Sequence, residues 1–193
     1  MMVEDGNDGA PPSGESPEPA RYGPTARWLH WVVALFVVVQ VPVGVAMTSA
    51  PLSAWADPLF IVHKGLGALL LLLVVARALW RLTHKPPPLP DSLPPLEKRI
   101  AHGTHVAIYL ALLTMVVSGY VRTVGDGYPI ELLDAVGVPP LIPVLPSVAA
   151  GMLVVHRFAV FILVVLVSVH VAAVLRNAMI EHDSVVLRMW PPW

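Results

Sequence analysis

The chain has 193 residues, of which 56% are hydrophobic and only 13% are charged, so it is too apolar for an ordinary soluble domain. It contains no cysteine, which excludes disulfides, cysteine-ligated iron–sulfur clusters, covalently attached c-type haem and thiol catalysis. Its formal net charge of −1 gives no general attraction to nucleic acid. A metal or cofactor would therefore need histidine, methionine or oxygen ligands.

The chain divides into a polar tail and four apolar blocks. Residues 1–20 are rich in Gly, Pro, Ser and acidic residues and lack apolar periodicity, which predicts a disordered tail. Within residues 21–193, the blocks 28–47, 59–82, 101–121 and 147–175 are each long enough to cross a bilayer as a helix. The sequence therefore predicts an all-α, transmembrane four-helix bundle.

Local features refine this picture. Pro42 and Gly44 predict a kink in the first span rather than its end, because neighbouring membrane helices satisfy freed backbone groups. The Pro-rich loop 83–100 predicts a stiff connector, and the loop 122–146 predicts a short interfacial turn of helix. The first span followed by Ala54-Trp55-Ala56 also resembles a cleavable signal peptide, but its length favours a retained anchor.

The distribution of basic residues predicts the orientation. Nine of the twelve Lys and Arg residues lie near one set of span ends, and three lie near the other. By the positive-inside rule, both termini and the 83–100 loop are predicted to be cytoplasmic. The nine are Arg21, Arg27, Arg77, Arg81, Lys85, Lys98, Arg99, Arg176 and Arg188, and the three are Lys64, Arg122 and Arg157.

Four of the eight histidines lie inside the apolar blocks: His30, His63, His156 and His170. An imidazole in hydrocarbon is costly, so it is expected to face the bundle interior and to have a partner. His156 and His170 share the fourth span, and their spacing returns to the same helix face within roughly 40° and separates them by about 21 Å. One helix therefore presents two imidazoles at two depths.

Depth then determines which histidines can meet. His30 and His170 lie toward the cytoplasmic side, and His63 and His156 lie toward the outer side. Two such pairs suit two haem b groups, because haem is flat, mostly apolar and bound axially by histidine. The alternatives are hydrogen-bonded core histidines and a zinc site, although the chain has no H-E-x-x-H motif.

Other residues near the two levels are secondary candidates. His105 lies at about the depth of His170, so spacing alone leaves it open as a haem ligand. Small residues at 65, 67, 119 and 151 could let a flat macrocycle approach a helix, although such residues also serve plain helix packing.

Five motifs in order resemble the bacterial cytochrome b-561 family, whose members are four-helix di-haem proteins of the inner membrane. They are RWLHW, FIVHKGLG, VARALWRL, AHGTHVAIYL and a final VVH followed by SVHVAAVLRNAMIEHDSVVLRMWP, and the similarity covers residues 21–192. The resemblance implies that His30, His63, His156 and His170 are the haem ligands, and that His105 is not. Where the superoxide-oxidising member of that family has a double histidine, this chain has Arg176-Asn177.

These observations predict a di-haem cytochrome that moves electrons between a donor on the periplasmic side, superoxide being one option, and membrane quinone, either ubiquinone or menaquinone. His102, His105 and Arg176 are candidates for handling the quinone or its protons. Lys64, Arg122 and Arg157 are candidates for contacts with haem propionates or with a small anion. The alternatives are an anchor subunit that relays electrons for a separate dehydrogenase or hydrogenase, and a cofactor-free helical protein of transport or assembly.

Overall fold

The computed structural model describes residues 21–89, 94–179 and 185–190, so the tail predicted for residues 1–20 lies outside the described residues. Within these ranges the chain is helical, and a short 3₁₀ turn, Ala50–Trp55, leads into the second helix. The helices are α1 (Pro24–Ala46), α2 (Ala56–Thr83), α3 (Pro95–Gly125), α4 (Glu131–Ala135), α5 (Pro146–Met179) and α6 (Val185–Met189).

Four of these helices, α1, α2, α3 and α5, are long and apolar enough to cross a membrane. Their outer faces carry exposed large apolar side chains, among them Leu72, Phe158 and Phe161. Such a surface is stable against lipid and would aggregate in water. The all-α, four-helix membrane fold expected from the sequence is thus confirmed, with helices that extend beyond the apolar blocks.

Proline and glycine set several helix ends. The helices α1, α3 and α5 each begin with a proline, whose missing N–H is one that the first turn leaves unpaired anyway. After α3, Gly127 adopts a left-handed φ of +82°. The N–H of Gly127 donates to the Val124 carbonyl, and that of Tyr128 donates to the Thr123 carbonyl, which forms a Schellman motif.

Inside the membrane region, α1 continues through Pro42 to Ala46, as the sequence predicts. Close packing follows chain order, with α1 against α2, α2 against α3 and α3 against α5. One buried cluster draws on all four long helices and occupies the middle of the bundle. Its members are Val33, Leu70, Val74, Ala111, Leu112, Met115, Val116, Ala159 and Leu163.

The loop between α3 and α5 folds back over one end of the bundle. It contains α4, the short helix predicted between residues 122 and 146, and Ile130 just before α4 is buried with Ala68 and Val124. The loop is tied down further by the Leu141 N–H, which donates to the Tyr120 hydroxyl at 2.9 Å. This end of the bundle is therefore covered by an ordered cap.

Candidate functional site

The four histidines of the apolar spans meet in two pairs, and each pair includes one residue of α5. His63 of α2 faces His156 with ring centroids 6.3 Å apart and planes at 88°. His30 of α1 faces His170 with centroids 6.5 Å apart and planes at 68°. We call them the outer pair and the inner pair, after the sides that the charge distribution predicts.

The ring spacing fits a shared metal. Two imidazoles that bind one metal ion from opposite sides, each through a bond of about 2.0–2.1 Å, have ring centroids about 6.3 Å apart. Both observed separations lie close to this value. The inner pair joins α5 to α1, and the outer pair joins α5 to α2. Neither of these two helix combinations is among the closely packed helix pairs of the described residues. Each pair thus spans a gap between helices.

At the outer pair, backbone contacts define the tautomer of one ring. The Nδ1 of His156 lies 2.8 Å from the carbonyl oxygen of Met115 on α3. Because a carbonyl only accepts, the proton of a neutral His156 sits on Nδ1, and the lone pair of Nε2 is free to bind a metal. His63 Nδ1 is buried and has no hydrogen-bond partner among the described residues.

Two glycines leave room beside these rings. A Cβ atom on Gly44 would lie 3.1 Å from Cε1 of His63, and one on Gly119 would lie 3.0 Å from Cε1 of His156. A cavity of about 900 Å³ surrounds the outer pair and includes both glycines in its wall. The cavity falls within the size range of cofactor sites, so the residues of the outer pair fit a bound haem.

The other small residues of the sequence analysis have different neighbours. A Cβ on Gly65 would meet Leu132, one on Gly67 would meet the amide of Gln40, and one on Gly151 would meet nothing within 4 Å. The sequence predicts Gly44 only as part of a kink with Pro42, whereas in the structure Gly44 lines the outer cavity. The sequence signal that could have revealed it is its place in α1 at the depth of His63.

The inner pair has a different hydrogen-bond environment. Arg77 of α2 places Nη2 3.2 Å from Nδ1 of His30 and donates from Nη1 to the carbonyl of Ala26 at 3.2 Å. A guanidinium cannot accept, so this contact requires an unprotonated Nδ1 on His30, whereas a neutral His30 that binds a metal through Nε2 carries its proton on Nδ1. The contact would therefore have to open when His30 binds a metal. Arg77 also lies over the ring of Tyr109, 5.5 Å from its centroid. A positive charge therefore stands beside the inner pair.

His105 joins the inner pair as a third imidazole. Its ring centroid lies 5.4 Å from that of His170, which is shorter than the separation expected across a shared metal. Of the other two residues predicted near this level, His102 on α3 and Arg176 on α5 are both exposed. The structure thus brings His105, rather than His102, into contact with the pair.

Two of the three basic residues predicted near the outer pair form ion pairs. Lys64 forms an ion pair of 2.7 Å with Glu131 of α4 and donates to the Pro129 carbonyl. Arg122 forms an ion pair of 2.5 Å with Asp126 one turn later. Arg157 is exposed and lines the outer cavity.

The Lys64 contact has an electrostatic consequence outside the membrane span. The hydrogen bond that Lys64 donates holds the pKa of the Glu131 carboxyl below its ordinary value. Glu131 therefore stays ionised at neutral pH, and its bond to Lys64 holds α4 over the outer cavity.

At the inner end, α6 closes the bundle. The indole N–H of Trp31 donates to the Met189 carbonyl at 2.7 Å, and the N–H of Tyr22 donates to the Arg188 carbonyl at 3.1 Å. The guanidinium of Arg188 is buried and donates to the carbonyls of Pro87 and Pro88. Helix α6 is thus fastened both to the N-terminal part of α1 and to the Pro-rich connector.

The fold and the site together define a multi-pass membrane protein whose bundle holds two pairs of facing histidines, which is the arrangement expected of a membrane-embedded haem carrier. Comparison with known proteins agrees with this class. The family model of prokaryotic cytochrome b561 matches residues 21–192. The chain is 32% identical to cytochrome b561 homolog 2 of Escherichia coli strain K12 over 173 residues, which cover 89% of this chain and 92% of that relative.

The chain belongs to the prokaryotic cytochrome b561 family. It is a membrane b-type cytochrome of electron transfer, and the resemblance expected from its motifs is confirmed.

Proposed function

We propose that the protein is a di-haem cytochrome that carries electrons across the membrane between a donor at the outer end and quinone at the inner end. His63 and His156 hold the outer haem, and His30 and His170 hold the inner haem. The observation that carries the proposal is the separation of 6.3 and 6.5 Å between the ring centroids of the two pairs.

Haem b held between two imidazoles supplies a reversible one-electron carrier with no iron position left for a substrate. The residues of the chain determine where such carriers sit. His156 and His170 lie on one face of α5 at depths about 21 Å apart. The apolar cluster that includes Leu112 and Leu163 separates the two levels and excludes water between them.

The inner end is the proposed place of quinone chemistry. Reduction of a quinone takes up two protons, and His105 beside His170 can hold and release a proton at an imidazole nitrogen. His102 is exposed near the same end, where its imidazole can exchange protons with water, and the exposed Arg176 supplies a fixed positive charge there. The quinone itself is ubiquinone or menaquinone in this proposal.

The outer end is the proposed place of electron entry. The exposed Arg157 lines the cavity around His63 and His156, while Glu131 and Asp126 neutralise the other two cations. With two of three positive charges paired, steering of a small anion such as superoxide falls mainly to Arg157. The excess of Lys and Arg near the inner end supports a cytoplasmic location for both termini.

The experiment is a haem count on the purified membrane protein and on two variants. The wild type should contain two b-type haems per chain by pyridine haemochrome assay. His63→Ala and His170→Ala should each retain one, with different α-band positions, because each variant removes a ligand from a different pair. A colourless wild type, or variants that both retain two haems, would contradict the proposal.

A further inference from the structure

Gln40 is a buried amide within the apolar part of α1. Its side chain is 5% exposed, and it lines the cavity of the outer pair. A buried amide is costly unless its polar atoms are hydrogen-bonded. A glutamine retained at this depth therefore needs a specific partner.

The partner of Gln40 is the backbone of a proposed haem ligand. Its Nε2 donates to the carbonyl oxygen of His63 at 2.9 Å. Because a carbonyl only accepts, the nitrogen must face His63, and this fixes the position of the amide oxygen as well. That oxygen, Oε1, is buried and has no hydrogen-bond partner among the described residues.

Gly67 makes this contact possible. The His63 carbonyl is the acceptor that the Gly67 N–H uses along α2, and a carbonyl oxygen has two lone pairs. A Cβ atom on Gly67 would lie 3.3 Å from Nε2 of Gln40, tighter than an ordinary contact. The bare backbone at position 67 thus lets the amide reach the second lone pair.

The place of Gln40 along α1 gives the bond a mechanical role. Pro42 follows two residues later and has no N–H to donate, which weakens the α1 hydrogen-bond ladder at this level. The bond from Gln40 ties α1 to α2 at His63, beside the cavity that Gly44 keeps open. The outer ligand is therefore held by a side chain from the neighbouring helix.

We propose that Gln40 is the positioning residue of the outer site: it fixes the backbone of His63, and its unpaired amide oxygen lowers the redox potential of the haem held there. This inference rests on the proposed function. The positive end of the amide is neutralised by the His63 carbonyl, which leaves the partial negative charge of Oε1 uncompensated in a low-dielectric interior. Such a charge favours the oxidised, more positive state of the site.

The test is a potentiometric titration of Gln40→Leu, followed in the visible α-band and in the low-spin ferric electron paramagnetic resonance signals. The signals of the outer haem are those that His63→Ala lacks. Gln40→Leu should contain two haems and show a rise of the outer potential and a shifted outer resonance, while the inner haem keeps its wild-type values.

Gly67→Ala disturbs the same hydrogen bond between Gln40 and the His63 carbonyl without changing Gln40 itself. The added Cβ should displace the amide and raise the outer potential by a smaller amount than Gln40→Leu does. Gly65→Ala is the matched control on the same helix, since its Cβ would meet Leu132 at an ordinary distance of 3.4 Å. It should leave both potentials unchanged.

The two hypotheses fail in different ways. A wild type without two haems overturns the proposed function itself. A Gln40→Leu protein with two haems and an outer potential no higher than that of the wild type overturns the role of Gln40 and leaves the di-haem assignment standing. If Gln40→Leu does not fold, an outer potential in Gly67→Ala equal to that of Gly65→Ala overturns it instead.

Discussion

The backbone of Gly119 leaves no room for a side chain beside the ring of His156 in the proposed outer site, and this gives a sharp test. In Gly119→Ala the new Cβ would lie 3.0 Å from Cε1 and 3.1 Å from Nδ1 of that ring. Carbon atoms in optimal contact are about 3.5–4.0 Å apart, so the ring must move by roughly 0.5–1 Å. The same movement strains the 2.8 Å bond from Nδ1 to the Met115 carbonyl.

Overpacking of this kind costs roughly 1–3 kcal/mol. If this cost falls on the haem-bound form alone, haem affinity at the outer site falls by about 5–140-fold, at about 1.4 kcal/mol per factor of ten. The assay is a haem titration of the apoprotein, with the final count by pyridine haemochrome. The outer haem should be bound weakly or lost, and the inner haem should be retained.

Gly103→Ala is the matched control on α3, because a Cβ at that position would meet nothing within 4 Å. It should bind both haems as the wild type does. Equal outer-site affinity in Gly119→Ala and Gly103→Ala would refute the inference that the Gly119 backbone shapes the space around His156.

Two further predictions concern charges beside the two sites. Arg77→Gln should lower the potential of the inner haem by roughly 40–90 mV, because a cation near the site disfavours its oxidised state by roughly 1–2 kcal/mol. Arg77→Lys keeps the charge and should shift this potential far less. An unchanged potential in Arg77→Gln would count against the inner assignment. Acidification should loosen α4. The pKa of Glu131 is lower in the folded protein than its unfolded value of 4.5, so the ionised carboxylate stabilises the folded state above pH 4.5. This stabilisation is lost as the pH falls through the folded-state pKa. The protection factors of the α4 amides, which compare their exchange with the intrinsic rate at the same pH, should fall by a factor of about 1.4–5 in acid, for an exposed ion pair of roughly 0.2–1 kcal/mol. Glu131→Gln should be loosened already at neutral pH, and equal protection of both proteins at every pH would exclude this role.

The helical fold and the approximate depth of each histidine could be predicted because both follow from one fixed quantity, the rise of an α-helix. The fourteen residues between His156 and His170 set two levels, and the direction of each span assigns His30 and His63 to them. The structure places these residues in the same two pairs. The rotation of each helix about its axis is not needed to predict these pairs, because each depth contains only a few histidines.

Contacts that depend on rotation and on loop paths could not be predicted in the same way. His105 shares the depth of His170, and only its ring separation distinguishes it from His30. The partner of Lys64 comes from α4, whose path over the cavity depends on the turn after α3. Gln40 donates to a backbone atom, and a backbone acceptor leaves no mark in the sequence at all.

The two sites share α5 but differ in how their histidines are held, and this difference bears on the direction of electron flow. At the outer pair, His156 donates to a backbone carbonyl, and the amide oxygen of Gln40 lies buried without a partner. At the inner pair, the guanidinium of Arg77 places a positive charge 3.2 Å from Nδ1 of His30. Donation to a carbonyl and a nearby negative dipole both stabilise an oxidised site, whereas a neighbouring cation stabilises a reduced one. If both pairs hold haem as proposed, the local electrostatics therefore favour electrons at the inner pair, which is the direction that the proposed function requires.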